Sequence, residues 1–335
     1  MHYLLPAIYC LLLPGAIRVA SDESPASWQA SCDFRCSTEV DDAVVLRAAS
    51  KRADRDGEDL MLGPGHYQIR SPWRVQSKRI KGVRGSGEVY LVAAGAFDGW
   101  LLEVEGLRRA EVTGIGFTGR NSAKGLRIIG CHDSVFRRLH CCGCIEAILV
   151  ERGWCTYLEA IRVDWCQAGK TPLVDLQQFT GHCRGLMMNR NRSLGPLVKI
   201  HGTAAIEDCG IERCESADCV LQFSGRHARI ARLHFEGNKA PVQVHATDCR
   251  QCEIAGLSLG GSEATAVKVG VLVERSQQTR VDGVIVTHCR DAVVRIGPEC
   301  VGCEAERIDL HYPRERYRQH GIAPRHLVDV VGSRQ

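Results

Sequence analysis

The chain has 335 residues, enough to bury a large core in one big domain or two ordinary ones. Hydrophobic residues make up 44% and charged residues 24%, a balance that excludes disorder over most of the length. The formal net charge of +4 is too small and too evenly spread to mark a nucleic-acid-binding protein.

The N-terminal run YLLPAIYCLLLPGAI, residues 3–17, has the length of a signal-peptide core and is too short to span a bilayer. It predicts a leader over residues 1–20, although no Lys or Arg precedes the run and cleavage after Ala20 would put Arg18 at the −3 position. The alternative is a buried strand or an inert leader. No other segment approaches membrane-spanning length, so no membrane partner is expected.

Residues 21–100 read as an N-terminal cap followed by irregular first rungs. Thr38-x-x-Asp41 forms a capping box ahead of a helix over 39–55, and Gly57 ends it. An apolar strand (60–62), the turn Gly63-Pro64-Gly65 and a second strand (66–69) follow.

From residue 101 a repeat sets in. Short apolar strands begin at 101, 126, 148, 173, 197, 220, 242, 271 and 293, at intervals of 22 to 29 residues. About ten residues into each rung comes a second signature, apolar-x-x-apolar-x-apolar, as in Val112/Ile115/Phe117, Leu158/Ile161/Val163 and Ile230/Leu233/Phe235. Strands this short cannot bury a face alone, but stacked rung on rung they enclose a continuous apolar column. No repeat holds the long amphipathic stretch that a helical solenoid needs. The prediction is all-β: a right-handed parallel β-helix of about nine regular rungs over 101–312, with an N-terminal capping helix. Residues 313–335 break the pattern and read as a polar C-terminal cap.

The run DDAVVLRAASKRADRDGEDLMLGPGHYQI, with the stretch that continues to Gly119, resembles the head of the pectate-lyase-like right-handed β-helix proteins. That superfamily includes glycosidase-related, rhamnogalacturonase-like and phage-tailspike-like members. The resemblance covers about 38–120 by motif and 101–312 by rung pattern alone. It implies a polysaccharide ligand, secreted, extracellular or periplasmic placement with a virion as the alternative, and a homotrimer for a tailspike-like member. The reaction is left open. The N-T-D element and paired Asp of polygalacturonase-type members are missing, and Gly181-His182-Cys183 is only a fragment of their G-H-G. The R-x-P-x-x-R arginines of pectate-lyase-type members are missing too.

Register arithmetic supplies candidate residues. Counting from the first residue of each second signature, position +6 falls on an outward column: Thr118, Cys142, Asp164, Asn189, Glu212, Glu236, Gly260, Thr287 and His311. Adjacent rungs lie ~4.8 Å apart, so Glu212 and Glu236 are expected as neighbours, with Asp164 ~10 Å from Glu212 by the same spacing. Paired carboxylates at roughly 5–9.5 Å are the equipment of glycoside hydrolysis. Glu212, Glu236 and Asp164 are therefore the candidate acid, base or nucleophile. His234, Arg162 and Asn189 are the candidate sugar-binding residues. The competing explanation is a solvated polar face, which every solenoid must have.

Position +8 holds Cys144, Cys166, Asn191, Cys214, Asn238 and Cys289, the pattern of a buried ladder at one turn. Cys249-x-x-Cys252 and Cys300-x-x-Cys303 have zinc-like spacing, yet their rungs are two apart, ~10 Å, which a tetrahedral zinc cannot bridge. No metal and no cofactor are expected. Stacked thiols or a few disulfides, Cys144 to Cys166 for example, fit better, and Cys32 with Cys36 could staple the cap. Arg-rich stretches at 184–192 and 226–232 read as solvated rung edges, with polyanion binding as the alternative. Two function classes remain: a polysaccharide-acting hydrolase or lyase with an outer groove, or a non-catalytic carbohydrate-binding or structural β-helix.

Overall fold

The computed structural model describes residues 15–37, 40–262, 265, 267–311 and 326–331. Thr38, the predicted start of the capping box, lies outside them. The helix α2 that follows runs Asp42–Asp56, with Asp41 as its N-cap: the Asp41 carboxylate accepts from the Ala43 N–H, and Gly57 ends the helix in the left-handed region. A short helix α1, Ala26–Ser31, precedes it; its six residues carry no buried apolar face that the sequence could have revealed. Ala43, Leu46, Ala49 and Ala53 of α2 are buried against the first rungs. The Trp73 indole donates to Ser50 Oγ at 3.0 Å. The helix thus closes the end of the apolar column, where the first strands would otherwise face water.

The expected leader boundary at residue 20 falls at the end of a strand. Ala16–Ala20 pairs in parallel with Asp59–Leu62, and Ile17 and Val19 are buried in the core. At the other end, His326–Val330 adds a parallel strand to Ala292–Ile296. The stacking therefore continues beyond residue 312, into the stretch predicted to be cap alone.

Between these ends the chain forms a parallel β-solenoid of about 10 turns. Every assigned pairing between rungs is parallel, for example Leu126↔Ile148 and Asp175↔Lys199. Each turn contributes to three faces, here called sheets A, B and C. In one turn Val174–Gln177 lies in sheet A, Thr180–Arg184 in sheet B and Met187–Asn189 in sheet C. The second signature marks the B-to-C corner. Its third position is left-handed in all nine rungs, at Gly114, Arg138, Ala160, Gly185, Asp208, Arg232, Gly256, Gly283 and Arg307, with φ between 50° and 71°. One such residue breaks the alternation of the strand, so the apolar residues on either side of it all point inward. Val112, Ile115 and Phe117 are accordingly buried, and so are Ile206, Cys209 and Ile211, the weakly apolar copy on which the register of Glu212 depends.

The +8 ladder forms as a mixed stack. Cys144, Cys166, Asn191, Cys214 and Asn238 are fully buried. The Cys144 N–H donates to Cys166 Sγ (3.3 Å), Cys166 N–H to Asn191 Oδ1 (2.8 Å), Asn191 N–H to Cys214 Sγ (3.4 Å) and Cys214 N–H to Asn238 Oδ1 (2.9 Å). Each side chain accepts the turn N–H of the rung before it, a donor that no strand partner reaches. Cys289 does not join: it stacks on Val267, because the long rung between 242 and 271 shifts the turn. The described cysteines are free thiols, so neither a Cys144–Cys166 bond nor a Cys32–Cys36 staple is formed. Burial suffices to explain them as small apolar residues. Cys249 and Cys300 lie two rungs apart with Ser276 between, as expected: Arg250 and Val301, their sequence neighbours, both bridge to Gln277.

Candidate functional site

The predicted +6 column forms along the edge of sheet C, in the order Thr118, Cys142, Asp164, Asn189, Glu212, Glu236, Gly260. Its members meet different surroundings. Asp164 was expected to face solvent, but its side chain is only 7% exposed. Arg162 Nε donates to Asp164 Oδ2, and His140 Nε2 contacts the same oxygen at 3.1 Å. Both side chains arrive from strand positions that point to the same face, and together they cover the carboxylate. Glu212 is half-buried and Glu236 exposed. His234 Nε2 lies 3.3 Å from Glu236 Oε2, and one polar atom from each of Glu212, His234 and Glu236 falls within 4.8 Å of the others. Arg162, Asp164, Met187, Asn189 and Glu212 line a groove of about 410 Å³. His234 and Glu236 stand outside its lining. The structure thus brings all six candidates into two adjoining groups that share Glu212: Arg162, Asp164, Asn189 and Glu212 along the groove, and Glu212, His234 and Glu236 beside it.

A larger depression lies elsewhere, along the corner between sheets A and B. Two cavities of about 590 Å³ each meet there and share Arg152, Gln178 and His201. Glycines form much of the floor: Gly106, Gly130, Gly153 and Gly202 follow their sheet A strands directly or closely and leave no side chains in the way. Gly202 is obligatory, since a Cβ there would lie 2.2 Å from the Phe179 carbonyl oxygen. Trp154, 60% exposed, stands over the floor, and the His132 ring stacks on it with centroids 6.5 Å apart. The polar wall comes from outward positions of sheet A. Asp175 pairs in register with Lys199, Glu151 with Gln177, and Gln177 with His201.

Two carboxyls on this wall differ in electrostatic setting. Burial pushes the Asp175 carboxyl above its usual range, and Glu146 and Glu151 push it the same way; a hydrogen bond from Gln177 Nε2 (2.7 Å) and the charge of Lys199 only partly offset this. Glu151 Oε2 instead accepts two hydrogen bonds from Arg127, at 3.1 and 2.9 Å. The raised Asp175 carboxyl and the arginine-bound Glu151 thus stand one rung apart on the same wall. By strand spacing their Cα atoms lie roughly 8 Å apart, one rung over and two residues along.

The sequence reasoning missed this corner because it followed only the second strand of each rung. The signal was present: six first strands run into a glycine, at 106, 130, 153, 202, 225 and 297, and charged residues alternate through LVDLQ and LVKIH.

No protein-family model and no curated protein sequence matches the chain. Solved structures do. An endo-xylogalacturonan hydrolase from Aspergillus tubingensis superposes with a TM-score of 0.58 at 8% identity, over 95% of this chain and 96% of that one. The fold is that of the pectate-lyase-like right-handed β-helices. ORF18 of Geobacillus virus E2 matches with a TM-score of 0.51 at 10% identity, over 89% of this chain. The enzymatically active domain of tailspike protein 2 of bacteriophage CBA120 gives 0.53 at 11% identity, also over 89%. This chain spans 61% and 44% of those two viral chains. No helix among the described residues is long and apolar enough to cross a membrane.

Proposed function

We propose that this protein acts on a polysaccharide laid along the corner between sheets A and B. The observation that carries the reading is Asp175: a carboxyl raised by burial, one rung from an arginine-held Glu151, on the wall of a long glycine-floored groove with an exposed tryptophan beside it. Trp154 offers a flat apolar face to a sugar ring. Arg152, Gln178, Lys199 and His201 supply donors for hydroxyls or acidic groups. Protonated Asp175 would donate to the glycosidic oxygen, and Glu151 would activate water or abstract a proton. Placement outside the cell or on a virion accords with the proteins that share the fold, by analogy alone.

A second reading keeps the chemistry on sheet C, with Glu212 and Glu236 as the carboxylate pair, His234 and Asn189 as sugar ligands, and Arg162 with Asp164 as a fixed polar wall. The 4.8 Å cluster of Glu212, His234 and Glu236 favours it. The test is a panel of acidic and neutral polysaccharides, followed by reducing ends and by the absorbance of unsaturated products, with Asp175→Asn, Glu151→Gln and Glu236→Gln compared. Loss of cleavage in the first two alone supports the corner. Loss in Glu236→Gln alone moves the chemistry to sheet C. Binding without cleavage by the parent protein makes it a carbohydrate-binding β-helix.

A further inference from the structure

Upstream of Trp154 the same corner turns strongly basic. Lys78, Lys81, Arg108, Arg109, His132 and Asp133 line a cavity of about 560 Å³. They come from three successive rungs: Arg108 bridges to His132, which bridges to Trp154, and the Lys81 carbonyl accepts the N–H of Glu111 just past Arg109. Four basic side chains, two lysines and two arginines, therefore converge on one space against a single carboxylate, Asp133. Several arginines elsewhere on the solenoid stand beside acidic partners, as Arg127 does with Glu151, Arg137 with Glu111 and Arg232 with Asp208. Among the described residues, none of Lys78, Lys81, Arg108 and Arg109 enters an ion pair. Four like charges held within a few rung spacings repel each other, and a counter-anion relieves that cost. The cavity is continuous with the groove, because His132 lines both and its ring stacks on Trp154.

We infer that this cavity is a subsite for a tetrahedral oxyanion, a sulfate or phosphate ester carried by the glycan, and that it seats the anionic substituent one or two sugars from the Trp154 platform. The inference rests on the reading of the corner as a glycan groove. A sulfate or phosphate ester offers three oxygens to the guanidinium and ammonium donors, and arginine pairs with such groups through two parallel hydrogen bonds.

The test measures binding of dextran sulfate, carboxymethyl dextran and dextran to the full chain at fixed ionic strength. The parent is compared with Arg108→Gln/Arg109→Gln, Lys81→Gln, Trp154→Ala and a basic control away from the corner, Arg138→Gln/Arg213→Gln, at exposed positions flanking sheet C. The expected result is preference for dextran sulfate, reduced by about tenfold or more in the double arginine variant, reduced less in Lys81→Gln, and unchanged in the control. Competition with inorganic phosphate and with inorganic sulfate then shows which ester the cavity prefers. Equal loss in the control overturns the subsite, because binding is then diffuse charge. Equal binding of all three dextrans, abolished by Trp154→Ala, overturns the subsite and leaves the groove. Binding of dextran sulfate that depends on the arginines and ignores Trp154→Ala retains the anion site and overturns the groove.

Discussion

Asn191 offers a sharp test of what holds the rungs in register. Its side chain is fully buried, its Oδ1 accepts the Cys166 N–H at 2.8 Å, and its Nδ2 donates to the Val163 carbonyl at 2.8 Å. Asn191→Ala leaves the Cys166 N–H buried and unpaired, at a cost of about 1–3 kcal/mol. The lost bond to Val163 and the small void add about 1 kcal/mol more. The expected total is about 2–4 kcal/mol. At an unfolding entropy of ~2.1 cal/mol/K per residue, that lowers Tm by about 3–6 °C for a chain of this length. Asn191→Cys is the informative control. Cys166 already fills the equivalent place one rung earlier, accepting the Cys144 N–H through sulfur, so a thiol at 191 should recover most of the loss. Urea unfolding followed by circular dichroism and by tryptophan fluorescence measures both variants. Equal destabilisation by Ala and Cys would refute the reasoning, since a thiol that restores an acceptor and most of the volume would then recover nothing, and the deficit would lie in the lost Nδ2 bond to Val163.

Three further outcomes follow from the same geometry. Gly202→Ala forces a Cβ to within 2.2 Å of the Phe179 oxygen at a φ of +149°, so it should destabilise by about 2–4 kcal/mol, seen as a lower urea midpoint; an unchanged midpoint would mean that the rung spacing is looser there. Asp42 is buried, and its carboxyl is pushed up to about 6, by burial first, with the Gln68 N–H and Cys36 opposing. The native state therefore holds this proton longer than the unfolded chain does, and the contribution of Asp42 falls as pH rises from about 4 to about 6, by on the order of 2–3 kcal/mol; Asp42→Asn should flatten that part of the stability–pH curve. Arg232 binds Glu207 and Asp208 at the surface, where water and salt screen the charges. Arg232→Ala should therefore shift Tm far less than Asn191→Ala, and its small effect should vanish at high salt.

The fold was legible because stacking repeats the same demand in every rung. Nine copies of apolar-x-x-apolar-x-apolar announce one corner, and the structure explains the broken alternation by the left-handed residue at the third position. The strict two-residue period of a strand then fixed the register of Glu212 and Glu236. The surroundings of each column member were not legible. Asp164 and Glu236 occupy the same position in their rungs, yet one lies under Arg162 and His140 while the other is 62% exposed. That difference comes from neighbours on adjacent rungs, which a single-column count ignores. The corner groove escaped notice for a related reason: it is made by what is missing above the glycines. At the two ends, Ala16–Ala20 and His326–Val330 join the stack without carrying the repeat, so a count of repeats does not reach them.

Two exposed tryptophans separate the two faces in one experiment. Trp154 stands at the A–B corner, 60% exposed. Trp165 follows the sheet C column, 54% exposed, with the Arg190 guanidinium 4.6 Å from its ring centroid. The polysaccharide bound best by the parent protein is titrated into the parent, Trp154→Ala and Trp165→Ala, with affinity read by calorimetry. A glycan lying in the corner groove predicts that Trp154→Ala weakens binding by about tenfold or more, the loss of a central aromatic anchor, and that Trp165→Ala binds like the parent. Unchanged affinity in Trp154→Ala together with loss in Trp165→Ala would contradict the account and place the glycan on sheet C.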